Sequence, residues 1–245
     1  MSDQSSTAIT AKGDEAVIEP YYQDDFVTLY LGDCREAMEW VSADVLVTDP
    51  PYGRAWSQGD TGSRRGWKSD KHAGIRNDSD TRARDGALSM WEVCGDDRPS
   101  FVFGDLTLAP PAGVKLTLVY DKGGDAGFTG AVGGYRRNVE AVYLLGRHAS
   151  GLGGRSSVLT TGQSAGGNLA RTTGHPHTKP LDVLRDIIRH APGGVIADPF
   201  AGSGSTLVAA KDLGRKALGV EIEERYCEVA ARRLSQEVLD FGGAA

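Results

Sequence analysis

The stretch Thr48-Asp49-Pro50-Pro51-Tyr52-Gly53 puts three chemically useful groups within four residues. Asp49 offers a carboxylate. Pro50 offers a carbonyl, and Pro51 after it has no N–H to compete for a partner. Tyr52 offers a flat face for stacking. Two hydrogen-bond acceptors beside an aromatic ring suit a planar base that carries an exocyclic amine. A Pro-rich turn capped by an aspartate is the plainer reading of the same residues. The prolines fix φ and hold the residues before them extended, so the turn is rigid on either reading.

Two further stretches could bind a ligand. His175-Pro176-His177-Thr178-Lys179-Pro180 is a second turn bracketed by prolines. Lys179 there opens a helix whose dipole opposes its charge, which calls for an anion, either a carboxylate or a phosphate. A solvated lysine is the alternative. The third stretch is Asp198-Pro199-Phe200-Ala201-Gly202-Ser203-Gly204-Ser205-Thr206. It has no lysine, so it is not the phosphate loop Gly-Lys-Ser/Thr, and Leu207 stands where the dinucleotide fingerprint needs its third glycine. The turn therefore suits an adenosine-containing ligand without a pyrophosphate. Glu221 follows Gly202 by 19 residues, near the spacing at which such folds place a ribose-binding acid.

Positioning these groups requires strands that end at them. Phe26 to Leu31 and Ala43 to Thr48 read as strands leading to Asp33 and Asp49, with a short helix over Cys34 to Val41 capped by Asp33. Together they predict a βαβ unit that puts both acids at the carboxyl ends of neighbouring strands. Ser100 to Phe103, Val114 to Tyr120 and Val139 to Leu145 read as strands, the last two joined by a Gly-rich connection. A helix with Leu181, Leu184, Ile187 and Ile188 on one face follows the second turn. Strand Gly194 to Asp198, helix Thr206 to Leu213, strand Ala217 to Glu221 and helix Glu223 to Leu234 complete the pattern. The fold expected is α/β, a doubly wound and mostly parallel sheet of the Rossmann type.

The 245 residues suffice for one large domain, here residues 23–237 between tails 1–22 and 238–245. The net charge of −6 rules out a globally basic nucleic-acid binder, so only a local patch could meet a polyanion. One exists: Arg54 to Arg84 carries eight basic and four acidic residues, a net +4 against −10 elsewhere. It includes Arg54, Trp56, Arg64, Arg65 and Lys68, types that neutralise phosphates or stack on bases. Residues 54–97 show no periodicity and read as a loop, as do residues 150–174. Both are either DNA-contacting or simply solvated. Three scattered cysteines predict neither zinc nor a disulfide framework, and no apolar run reaches the length of a membrane span. Neither a metal nor a membrane is expected.

In this order, the three turns resemble those of the S-adenosylmethionine-dependent amino-DNA methyltransferases of the β class, whose motif order is circularly permuted. The resemblance covers roughly Phe26 to Leu234. It implies methyl transfer from S-adenosyl-L-methionine to the exocyclic amine of a flipped-out adenine in double-stranded DNA, with Asp49, Pro50, Pro51 and Tyr52 as the catalytic turn. It implies a cofactor site built from Asp33, Cys34, Asp49, His177, Thr178, Lys179, Asp198, Phe200, Gly202, Ser203, Gly204, Ser205, Glu221 and Ile222, with Lys179 on the methionine carboxylate. A cytoplasmic setting in a prokaryotic or phage-infected cell and a restriction-modification context also follow, with a homodimer and a restriction partner left open. The chain departs from the family in having His177 where the second turn carries Thr, and in its short segment before that turn. Methylation of cytosine N(4), of RNA or of a protein glutamine are the alternatives, as is a binder without activity.

Overall fold

A computed structural model describes residues 18–55, 75–95, 97–123, 131–150, 153–162 and 178–236. Nine strands form one sheet: β1 (Tyr22–Gln23), β2 (Val27–Leu31), β3 (Val45–Thr48), β4 (Ser100–Gly104), β5 (Leu116–Asp121), β6 (Val139–Leu145), β7 (Val158–Thr160), β8 (Ile196–Asp198) and β9 (Ala217–Glu221). Their spatial order is β1-β2-β9-β8-β3-β4-β6-β5-β7. The run from β2 to β4 is parallel throughout, whereas β6 lies antiparallel to both β4 and β5.

Alternation along the strands divides the core between two faces. Val45 and Val47 point to one face, where they meet α2 (Leu181–His190), α3 (Ser205–Asp212) and α4 (Glu224–Leu234) through Leu184, Ile188, Leu207 and Ala230. Leu46 points to the other face and meets Trp40 together with Ala87 and Trp91 of α1 (Arg82–Val93). The Trp40 and Trp91 rings stack with centroids 6.1 Å apart. Helices on both faces of a mostly parallel sheet make the doubly wound architecture that the sequence predicts.

Several local expectations change. The segment after Asp33 is no α-helix. The Asp33 carboxylate accepts the Arg35 N–H at 2.9 Å and its carbonyl accepts the Ala37 N–H, which closes a turn; a 3₁₀ helix at Glu39–Ser42 then follows. The Trp40 indole donates to the Cys34 carbonyl at 2.8 Å and pins that compact path. Strands β2 and β3 are not neighbours, because β9 and β8 lie between them. β1 begins at Tyr22, the last residue of the stretch read as a tail, and Ile18 within that stretch packs against the core. Helix α1 occupies part of the stretch read as a loop over 54–97, and β7 part of that over 150–174. In α1 the apolar stripe is only Ala87, Leu88 and Trp91, interrupted by charged residues and Gly86, so its period is faint.

Candidate active site

The sheet reverses its winding between β8 and β3. From β8 the chain passes through α3 to the adjacent β9, and from β3 through α1 to β4 on the other side. Open α/β sheets bind ligands at the carboxyl edge of such a switch point. Along that edge stand Asp33 after β2, Glu221 ending β9, Asp198 ending β8 and Asp49 after β3. With strands about 4.8 Å apart, the row from β2 to β3 spans about 14 Å. All four acids line one cleft of about 340 Å³.

At one end of the cleft each oxygen of Asp49 accepts one bond. The Tyr52 hydroxyl donates to its Oδ1 at 2.7 Å, and Lys179 Nζ donates to its Oδ2 at 2.6 Å. Lys179 also reaches the Tyr52 hydroxyl at 3.1 Å and Glu140 Oε2 at 3.3 Å. The other oxygen of Glu140 pairs with Lys122 at 3.0 Å. Two carboxylates and two ammonium groups thus form one chain of charges, with the hydroxyl of Tyr52 against it. Burial pushes the carboxyl of Asp49 up, the charge of Glu140 adds to this, and Lys179 opposes it. Burial lowers the pKa of Lys179, but Asp49 and Glu140 outweigh it and hold the ammonium above its usual range. Tyr52 is pushed far above an ordinary phenol, by burial first and then by both carboxylates, and stays a donor.

The turn that leaves Tyr52 is held from above. The Asp78 carboxylate accepts the N–H groups of Gly53 at 2.8 Å and Arg54 at 3.3 Å. Gly53 has φ +85° and runs so close to Asp80 that a Cβ would lie 2.9 Å from that residue's carbonyl carbon, so only glycine fits.

At the other end lies the glycine turn. Glu221 Oε2 accepts the Gly202 N–H at 2.8 Å, and Oε1 accepts the Glu223 N–H at 2.7 Å. Burial still raises this carboxyl to about 7, against those two amides. Asp198 is likewise raised by burial, to about 6. It accepts bonds from the Thr48 hydroxyl at 2.7 Å and the Phe200 N–H, which ties the ends of β8 and β3 together. Gly204 caps α3 at φ +78°, and a Cβ there would meet that of Ala230 at 2.8 Å. The guanidinium of Arg233 reaches across from α4 to the hydroxyls of Ser203 at 3.2 Å and Ser205 at 3.0 Å. Ser203 also meets the Thr178 hydroxyl at 3.2 Å, so the second turn abuts the third.

Most expected site residues therefore meet in one place. Asp33, Cys34, Pro50, Pro51, Phe200 and Ile222 line the cleft beside Asp49, Tyr52, Thr178, Lys179, Gly202, Ser203, Ser205 and Glu221. Gly204 lies behind the turn as a helix cap. Burial pushes the Cys34 thiol up to about 12, so it lines the cleft as an inert thiol. Arg54 is exposed at the rim, and its guanidinium forms an ion pair with the buried Asp105. Within the protein the anions beside Lys179 are Asp49 and Glu140. Trp56, Arg64, Arg65, Lys68 and His177 lie outside the described residues. Sequence reasoning missed Glu140, Lys122, Asp78 and Arg233. Glu140 had one signal, an acid in the otherwise apolar run Val139 to Leu145. Among the described residues no group of three or more His, Cys, Asp and Glu could hold a metal ion, and no helix is long and apolar enough to cross a membrane.

A doubly wound sheet with two rigid turns facing each other over its switch point defines a Rossmann-like protein of the methyltransferase type. Solved structures share the fold. The PvuII DNA methyltransferase (cytosine-N4-specific) aligns over 90% of both chains with a TM-score of 0.61 and 16% identity. The M1.HpyAVI–SAM complex covers 86% of this chain and 100% of its own, with a TM-score of 0.57 and 19% identity. The family model for DNA methylases of the N6/N4 type matches residues 139–232. YubD of Escherichia coli (strain K12), named as a methylase, is 35% identical over 115 residues, 45% of this chain and 48% of that one. The type II methyltransferase M2.DpnII of Streptococcus pneumoniae is 45% identical over 65 residues, 26% of this chain and 24% of its own. The chain thus spans about half the length of the first of these relatives and about a quarter of the second. The likeness to DNA methylases of the N6/N4 type covers residues 139–232, and the fold alone is shared over most of the chain.

Proposed function

We propose that the chain transfers a methyl group from S-adenosyl-L-methionine to the exocyclic amine of adenine in double-stranded DNA. One observation carries this reading. The Asp49-Pro50-Pro51-Tyr52 turn and the Gly202 turn with Glu221 open into a single cleft across the switch point. The donor set fits the cofactor. Each oxygen of Glu221 already accepts one amide N–H and keeps a lone pair for a ribose hydroxyl. Asp33 on the outer strand would accept from the adenine amine, with Phe200 and Ile222 as apolar walls. When bound, the cofactor supplies a methyl group on a positively charged sulfur.

The protein's own residues do the rest. The target amine is a poor nucleophile because its lone pair is delocalised into the ring. Asp49 and the Pro50 carbonyl would each accept one of its N–H bonds, drawing the nitrogen toward tetrahedral geometry and stabilising the charge that grows there. The ammonium of Lys179, 2.6 Å from Asp49, works against that charge, and Glu140 offsets it from the far side. Lys179 and Tyr52 together fix the rotamer of Asp49, so alignment is set before the base arrives. The base must leave the duplex to reach this cleft, and the Tyr52 ring offers it a stacking face. A full negative charge at Asp49, rather than the neutral acceptor of a serine, favours adenine over cytosine.

Labelled methyl transfer tests the reading. Label should pass from S-adenosyl-L-methionine to duplex DNA. Transfer to transfer RNA or to a glutamine peptide in place of DNA would overturn it.

A further inference from the structure

The connection from β5 to β6 carries a turn at Val132–Tyr135 that the methyl-transfer chemistry does not use. β6 runs antiparallel to β4, with Ala141 opposite Gly104, so its start lies at the same sheet edge as Asp49. The stem is tied at that edge. The Lys122 N–H donates to the Asn138 carbonyl at 2.8 Å, and the Asn138 amide donates to Asp121 Oδ1 at 3.2 Å. Lys122 and Glu140, on the two arms of the stem, both line the cleft. At the tip, Val132 and Tyr135 exchange two backbone bonds of 3.0 Å around Gly133 and Gly134, whose φ angles are +58° and +82°. Positive φ at both central residues marks the tight hairpin turn that only glycine and a few polar residues adopt readily.

This tip presents an unusual surface. Tyr135 is 82% exposed and Val132 is 67% exposed, and the side chains of Arg136 and Arg137 are exposed beside them. No acid lies between residues 131 and 139, in a chain whose net charge is −6. Glu140 lies five positions after Tyr135, which limits the reach from the cleft to at most about 17 Å. A rigid turn carrying an aromatic ring, an aliphatic neighbour and two guanidinium groups matches duplex DNA. The cations meet phosphates, and the ring can lie against a base step.

We propose that the Val132–Arg137 tip is a duplex-DNA contact at the rim of the catalytic cleft, with Arg136 and Arg137 on phosphates and Tyr135 against the base stack. This rests on the DNA reading above. The tip lies in the connection rather than in the basic segment from Arg54 to Arg84, and its role needs neither cofactor nor catalysis.

Fluorescence anisotropy with a labelled mixed-sequence duplex, across a salt series and without cofactor, tests it. The Arg136→Ala/Arg137→Ala variant should bind with a log–log salt slope shallower by roughly 1.8, about 0.9 for each phosphate left unneutralised. A Tyr135→Trp variant should change its emission when the same duplex is added. Wild-type slope in the double variant together with unchanged emission would overturn the proposal while leaving the DNA reading intact. Absence of salt-dependent duplex binding by the wild type would overturn the DNA reading and this proposal with it. If the substitutions alter only the sedimentation of the protein alone, the tip joins two copies of the chain and the DNA role is refuted.

Discussion

Glu221→Gln should abolish a pH-dependent loss of stability that burial imposes at the cleft. Two backbone amides bond to this carboxylate, yet burial dominates and lifts it to about 7 from an ordinary 4.5. A carboxyl raised on folding binds its proton more tightly in the native state. Its stabilising contribution is therefore fully present below about pH 4.5 and is lost as the pH rises through about 7. The gap corresponds to about 3 kcal/mol in all, of which roughly 2.5 kcal/mol appears between about pH 5 and pH 8.5. Glutamine cannot ionise, so that loss disappears. It presents a single acceptor oxygen, however, and leaves either the Gly202 or the Glu223 amide facing another donor, at a cost of about 1–3 kcal/mol at every pH. The variant should be the less stable protein near pH 5 and close to the wild type near pH 8.5. Urea unfolding across this range, read as the difference between the two proteins, cancels groups common to both, such as Asp198. A difference that falls by about 2–3 kcal/mol with rising pH is expected. Parallel curves would refute the assignment of a buried, proton-holding carboxyl at the ribose position.

Other substitutions probe the remaining parts of the cleft. Asp49→Ala should cut methyl transfer at least about a hundredfold while leaving calorimetric affinity for S-adenosyl-L-methionine unchanged, since the bonds it removes act on the target amine. Glu140→Gln removes the charge that offsets Lys179; single-turnover rates should fall about tenfold or more with cofactor affinity unaltered, and an unchanged rate in a folded variant counts against this role. Lys179→Met leaves the half-buried Asp49 and the buried Glu140 without their shared cation and should cost about 3 kcal/mol near neutral pH by urea unfolding. Wild-type stability there would mean that the ion pair is not held in solution.

The sequence carried the sheet further than it carried the charge network. Strand β9 at Ala217–Glu221 and strand β6 at Val139–Leu145 fall at their expected bounds: the first follows Arg215-Lys216 and is apolar up to its terminal acid, and the second is apolar but for Glu140 and is closed by Gly146. The order of strands was harder. Nothing local to Phe26 to Thr48 shows that β9 and β8, some 170 residues downstream, insert between β2 and β3. The catalytic turn and the glycine turn were legible because rigid residues announce themselves. The partner of Lys179 was not: its unfavourable place at a helix start correctly called for an anion, but whether ligand or protein supplies it is a tertiary fact. Glu140 and Arg233 were hidden for the same reason, since their roles depend on which strand and which helix come to lie beside the cleft. Arg84 shows the opposite error. Counted in a basic patch, it turns inward, to Asp85 and the Ala109 carbonyl.

The most direct test is nucleoside analysis of DNA from cells that express the chain or its Asp49→Ala variant. N(6)-methyladenine above background with the intact chain, and none with the variant, is the outcome expected. N(4)-methylcytosine as the main product would overturn the choice of base and leave the site standing. No modified base with a folded, cofactor-binding wild-type protein, or equal modification by the variant, would contradict the claim that Asp49 at the switch point methylates DNA.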